Sequence, residues 1–163
     1  MTERPKTLGA LLLRQGVLTE TQLQQALSRQ RATGKVLGAI LVEDGVLTPQ
    51  ALLAVLSEQS GIPHRALRVA EMDWSVADTM PSAALSSDQW FPICSDESSL
   101  TIAISDPLDA WSLSDAQCHA KFLAIRPVLV LDQELKAVCQ AYRQRRLQRL
   151  QERLTRDANN DHH

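Results

Sequence analysis

Two glutamines, Gln30 and Gln59, have the clearest chemical use in this sequence, and each closes a stripe of leucines. Leu23, Leu27 and Gln30 fall at i, i+4 and i+7, and Leu52, Leu56 and Gln59 repeat that spacing 29 residues later. On a helix each trio shares one face. A primary amide brings two donors and an acceptor to an otherwise apolar surface. Such a surface suits a flat ligand with a polar rim, leucines packing on its ring faces and glutamine bonding its edge. Gly9 and Gly38 precede the trios at the start of a shorter helix, where a missing side chain lets a group approach the backbone and free amides can meet an anion. A plainer account uses the same residues: leucine fills a core, glycine turns the chain, and glutamine caps a neighbouring backbone group.

The elements that must position these groups are themselves duplicated. Residues 7–30, TLGALLLRQGVLTETQLQQALSRQ, and residues 36–59, VLGAILVEDGVLTPQALLAVLSEQ, agree at 12 of 24 positions, with RATGK between them. Two copies fall short of the three units a solenoid needs, so the repeat is a duplication inside one domain. Leu8 and Leu12, like Leu37 and Leu41, stand four apart on a short helix. Gly16 and Gly45 end those helices, as residues that accept a positive φ. Thr19 with Gln22 predicts a capping box for the longer helix that follows, and Thr48 before Pro49 is an equivalent start signal. Residues 1–62 therefore form a half of four helices in two hairpins, and a doubled site suits a ligand with two like halves.

At this point the doubled motif resembles the MshEN-type domain found at the amino terminus of type II secretion and type IV pilus assembly ATPases. In that family two such motifs bind cyclic di-GMP, a two-fold symmetric dinucleotide, one motif to each half. The resemblance implies ligand contacts from Leu8, Gly9, Leu12, Gly16, Leu23, Leu27 and Gln30, and from Leu37, Gly38, Leu41, Gly45, Leu52, Leu56 and Gln59. The family's motif usually opens with arginine, whereas these positions hold Thr7 and Val36, with Lys6 and Lys35 one residue earlier. Lysine does not reproduce a planar, bidentate guanidinium contact.

The rest of the chain changes grammar. Ser60-Gly61-Ile62-Pro63 stops the helical pattern, and His64 after it has no second metal ligand spaced nearby. Met80 to Leu85 predicts a short helix opened by Pro81. Trp90–Cys94 and Leu100–Ser105 are apolar runs around a polar turn, a hairpin. Residues 109–119 predict a helix, 120–131 a third strand, and Asp132 a cap for the last helix. The fold class expected is α+β, the half at 63–142 carrying a three-stranded antiparallel sheet with flanking helices. By the family resemblance Asp106, before Pro107, faces the ligand, and its carboxylate would accept two N–H groups of a guanine edge. Asp before Pro also simply caps a turn.

Residues 143–163 are a basic extension: Arg143 to Arg156 holds six arginines and one glutamate, leaving the remainder of a chain of formal charge −2 at −7. Leu147, Leu150 and Leu154 continue an apolar stripe there. An amphipathic basic helix fits an acidic protein face, an anionic membrane or nucleic acid. The missing aromatic interleaving disfavours nucleic acid, and a protein partner, or a solvated extension whose leucines pack on its own domain or on a second copy of the chain, fits better. Asn159 to His163 is expected to be disordered.

No apolar run reaches the ~18 residues of a membrane span, and the start does not resemble a signal peptide. Cys94, Cys118 and Cys139 form neither a disulfide framework nor a zinc pattern, so reduced, mostly buried thiols in the cytoplasm are expected. There is no GxxxxGK[ST] loop and no nucleophile–base pairing; Cys118 and His119 are neighbours that a helix would point apart. No enzyme, metal or bound cofactor is expected. Two functions remain: a cyclic di-GMP receptor that acts on a secretion or pilus-type system through protein contacts, or an adaptor of the same fold without ligand.

Overall fold

The computed structural model describes residues 7–121 and 123–160. The polar lead-in with Lys6 and the terminal histidine pair lie outside the described residues. Two compact units divide the chain after Arg65.

The first unit is the duplication. Helices α1 (Leu8–Arg14) and α2 (Glu20–Thr33) form one hairpin, α3 (Leu37–Glu43) and α4 (Pro49–Ser60) the other. Local chemistry starts and stops each of them. Thr19 and Gln22 form the reciprocal capping box at α2, while the Thr48 hydroxyl accepts from the Ala51 N–H with Pro49 in the first turn of α4. Gly16 and Gly45 turn the chain at φ 69° and 71°, the left-handed region that costs other residues about 1 kcal/mol or more. The hairpins interlock: α1 packs on α4 and α2 on α3. One core results, built from equivalent positions of both copies: Leu11 with Ile40, Leu12 with Leu41, Leu18 with Leu47, Ala26 with Val55.

The second unit opens with α5 (Ser75–Asp78) and a 3-10 turn at Ser82–Leu85. Strands β1 (Trp90–Ser95) and β2 (Ser99–Ile104) follow, then α6 (Ala110–His119), β3 (Ala124–Leu129) and α7 (Asp132–Asn160). β1 and β2 are an antiparallel hairpin whose turn is tied by the Asp96 carboxylate, which accepts from the Ser98 and Ser99 N–H groups at 2.8 Å each. The Ser99 hydroxyl, which donates to the same carboxylate at 2.7 Å, and after it these N–H bonds hold the Asp96 carboxyl below the usual aspartate range. β3 corrects the sequence expectation, because it runs parallel to β2 and the sheet is mixed. The reason is the connection: α6 carries the chain back across the sheet, the crossover that parallel neighbours require. Pro92 and Pro127 sit on β1 and β3, the two edges of the order β1-β2-β3, where a missing N–H costs least.

Helix α7 anchors this unit through Leu135, Val138, Cys139 and Tyr142. Tyr142 packs edge-on against Phe91 and stacks on Trp74, with ring centroids 5.4 and 5.8 Å away, and its hydroxyl donates to the Ala77 carbonyl at 2.9 Å. Three smaller expectations are corrected. Asp132 is the first residue of α7, its carboxylate bonded to Lys136 at 2.7 Å. Asn159 and Asn160 belong to α7. All three cysteines are free, but Cys94 and Cys118 are exposed and only Cys139 is buried. Cys94 follows the irregularity at which β1 shifts register against β2, and Cys118 lies on the solvent face of α6; burial pushes the Cys139 thiol up to about 12.

Candidate ligand-binding site

Each motif copy builds the same small device from its two helices. A methyl group placed on Gly9 would lie 2.9 Å from the nearer Leu23 side-chain methyl, and one on Gly38 would lie 3.0 Å from both Leu52 methyls. What approaches these glycines is therefore the leucine that begins the stripe on the next helix. The close approach seats Leu23 and Leu52 at the foot of their stripes. Leu23 is buried and Leu52 half-buried, and further along the stripes Leu27, Gln30, Leu56 and Gln59 are all half-buried. Leu8 and Leu37, on the shorter helices, are half-buried too.

The remaining predicted positions play other parts. Leu12 and Leu41 are 0 % exposed, so they back the surface from within the core. Gly16 and Gly45 shape exposed turns, with no atom within 4 Å of where a side chain would start. The sequence pattern does not separate these roles, because core and surface leucines share the same helical spacing. Where the family's arginines would stand, the Thr7 hydroxyl accepts from the Ala10 N–H at 3.3 Å, and Val36 makes no side-chain cap. Lys35 is committed elsewhere: its ammonium donates to the Glu43 carboxylate at 2.7 Å, and that bond, helped by the charges of Lys35 and Arg29, holds the Glu43 carboxyl below its ordinary range.

In the second unit Asp106 is exposed, and its carboxylate accepts from the Leu108 N–H at 2.9 Å, the turn-capping bond expected of this sequence. A carboxylate keeps further acceptor sites when one oxygen is so used. Beside it Leu108 and Trp111 are exposed large apolar side chains, neither singled out by the sequence pattern; a tryptophan at the first turn of a helix opened by Asp109 was the available signal. Among the described residues no three His, Cys, Asp or Glu side chains gather as a metal site, and no helix is long and apolar enough to cross a membrane.

The sequence model of the MshEN domain matches residues 60–149. The chain belongs to the MshEN domain family. That match starts one residue after Gln59, so membership rests on the second unit and the duplicated motif is independent of it. A solved structure of MshE with cdg, cyclic di-GMP, superposes at a TM-score of 0.74 with 27% identity, covering 85% of this MshEN chain and 99% of that one. Such a share exceeds what the second unit alone can supply, so the likeness reaches into the helical unit. The N-terminal domain of XpsE is similar in fold, at TM-score 0.58 and 18% identity over 86% of this chain and 98% of that one. No curated protein matches.

Proposed function

We propose that this MshEN chain is a receptor for cyclic di-GMP, with one half of the ligand on the Leu27–Gln30 surface and the other on Leu56–Gln59. The observation that carries the reading is the repetition in three dimensions. Both copies set a leucine over a glycine and a half-buried glutamine at the same place two turns on, a doubled surface for a doubled ligand. The solved structure of MshE with cyclic di-GMP supports it. Leu8 and Leu37 extend the apolar walls, Leu12, Leu23, Leu41 and Leu52 brace them, and Gly16 and Gly45 hold the helix ends in place. Asp106 is the remaining proposed contact, a carboxylate of the kind that takes a guanine edge. In this reading the chain is a cytoplasmic regulatory module and not an enzyme, and it acts on a secretion or pilus-type system through protein contacts.

One observation favours the second reading, a ligand-free adaptor: Thr7 and Val36 replace the arginines that usually open the motif. Calorimetric titration with cyclic di-GMP, with GTP and cyclic di-AMP as controls, separates the two. The receptor gives saturable binding to cyclic di-GMP alone. Gln30→Ala and Gln59→Ala each weaken it roughly three- to tenfold, the net worth of one hydrogen bond. Silence with the unaltered chain, or an affinity that neither substitution changes, leaves the adaptor.

A further inference from the structure

Helix α7 outruns the unit it anchors. Tyr142 is its last buried residue, and every residue from Leu147 to Asn160 is exposed. Three large apolar side chains stand in that stretch: Leu147, Leu150 and Leu154, exposed at 60, 51 and 69%. They fall at i, i+3 and i+7, a single stripe of the kind that packs into a facing helix. At its inner end the stripe runs into a groove of about 280 Å³, lined by Leu85, Tyr142, Arg143, Arg146, Leu147 and Leu150.

The charges beside the stripe say what covers it. Arg146 and Arg153 stand at i−4 and i+3 from Leu150, along one flank; Gln144 and Gln151 hold the other. Arg143 and Arg149 are paired with Asp88 and Asp78. Arg146 lies over the Tyr142 ring, 6.0 Å from its centroid, and neither it nor Arg153 or Arg156 has a carboxylate partner among the described residues. A second copy supplies none. Two α7 helices packed antiparallel set arginine flank against arginine flank, and packed parallel they set arginine against glutamine. An anionic membrane is a poor match as well: three leucines without an aromatic anchor are a small apolar face, and the chain outside 143–156 carries −7. A narrow acidic helix meets only the local basic flank of Arg146, Arg153 and Arg156.

We infer that α7 from Arg143 to Arg156 docks an acidic amphipathic helix of a partner protein. Its apolar side chains seat on Leu147, Leu150 and Leu154, with one anchor in the groove against Leu85, and its carboxylates meet Arg146, Arg153 and Arg156. The inference rests only on the protein-contact part of the proposed function and stands whether or not the helical unit holds a nucleotide.

The test uses the full chain and two labelled synthetic helices of three heptads, leucine at a and d, with glutamate at e and g in one and lysine in the other. Fluorescence anisotropy is expected to show saturable binding of the glutamate helix alone. Leu150→Asp should weaken it at least tenfold, as should Arg153→Glu combined with Arg156→Glu; all these sites are exposed, so helix content stays constant by circular dichroism. Equal binding of both helices, binding of neither, or indifference to both variants overturns the proposal. So does a dimer by light scattering that Leu150→Asp dissolves, which makes a second copy the occupant, or phosphatidylglycerol vesicles that bind through these residues when the glutamate helix does not. Cyclic di-GMP titration of the same variants reads the helical unit separately, so failure here and failure of the receptor reading are distinguishable.

Discussion

The two motif copies share a frame and differ at the rim, and the rim decides how they pair. Copy one ends its short helix with Arg14-Gln15 and carries Arg29 on its long one; at the equivalent places copy two has Glu43-Asp44 and Glu58. Because each short helix packs on the long helix of the other copy, opposite charges meet twice. Glu58 receives Gln15 Nε2 at 2.6 Å and lies 3.8 Å from Arg14, while Arg29 bonds Asp44 and lies 3.7 Å from Glu43. Two identical copies would lose both pairs: copy one against itself sets Arg14 by Arg29, and copy two sets Glu43 by Glu58. The leucine and glycine frame is indifferent to which hairpin it meets. Divergence at the rim makes the pairing of unlike copies the favoured one, as like charges face each other in any pairing of likes.

The harshest way to break the comparison is through the shared core. Leu12→Ala and Leu41→Ala each remove a fully buried leucine at equivalent positions and should each cost about 2–5 kcal/mol, with the two values close. Urea unfolding followed by helical circular dichroism measures both. A cost at one position much below the other would show that the copies are not equal partners in the core.

Ligand affinity sharpens the comparison where the copies differ most at their start. Val36→Arg places the family's guanidinium at an exposed position that makes no cap. It should tighten cyclic di-GMP binding by about 1.5–3 kcal/mol, the worth of a charged hydrogen bond. Thr7→Arg adds the same group but removes the hydroxyl that caps α1 at Ala10, a loss of about 1 kcal/mol in helix stability, so its gain should be smaller. Calorimetry that finds no gain from either would favour the adaptor.

What was legible in the sequence is what is local. Thr19 and Gln22 are three residues apart, and their capping box follows from type and spacing alone; so do the turns at Gly16 and Gly45 and the order of elements from β1 onward, whereas α5 at Ser75–Asp78 was not expected and the helix expected at Met80–Leu85 is a 3-10 turn. What escaped depends on partners distant in the chain. Gln15 and Glu58 are 43 residues apart, and no periodicity announces that short helices pack across copies. The direction of β3 was missed because a strand's residues fit either ladder and only the path of α6 decides. Gly9 and Gly38 show the limit within the site: their repetition was visible, but the occupant beside them, Leu23 or Leu52, depends on the angle at which two helices cross. Leu12 and Leu27 likewise occupy motif positions of the same kind, and tertiary packing alone buries one and leaves the other at the surface.

Acid reads the rim itself, with the smallest effect. The Lys35 ammonium bonded to Glu43 lowers the Glu43 carboxyl from an ordinary value of 4.5; desolvation opposes that bond, and the charges of Lys35 and Arg29 add to it. A carboxyl whose folded value lies below its unfolded one stabilises the fold above the unfolded value, and that contribution disappears as pH falls through the folded one. Glu43→Gln should therefore lower Tm between about pH 5 and 7 and converge with the parent chain as pH falls below the ordinary carboxyl value. High salt should shrink the Glu43 difference, because both side chains of the pair are half exposed. Parallel Tm curves for the parent and Glu43→Gln across the acid range would mean that the rim charges choose between pairings without adding stability to the one formed, and the selectivity of the duplication would then lie in the repulsion of the pairs it avoids.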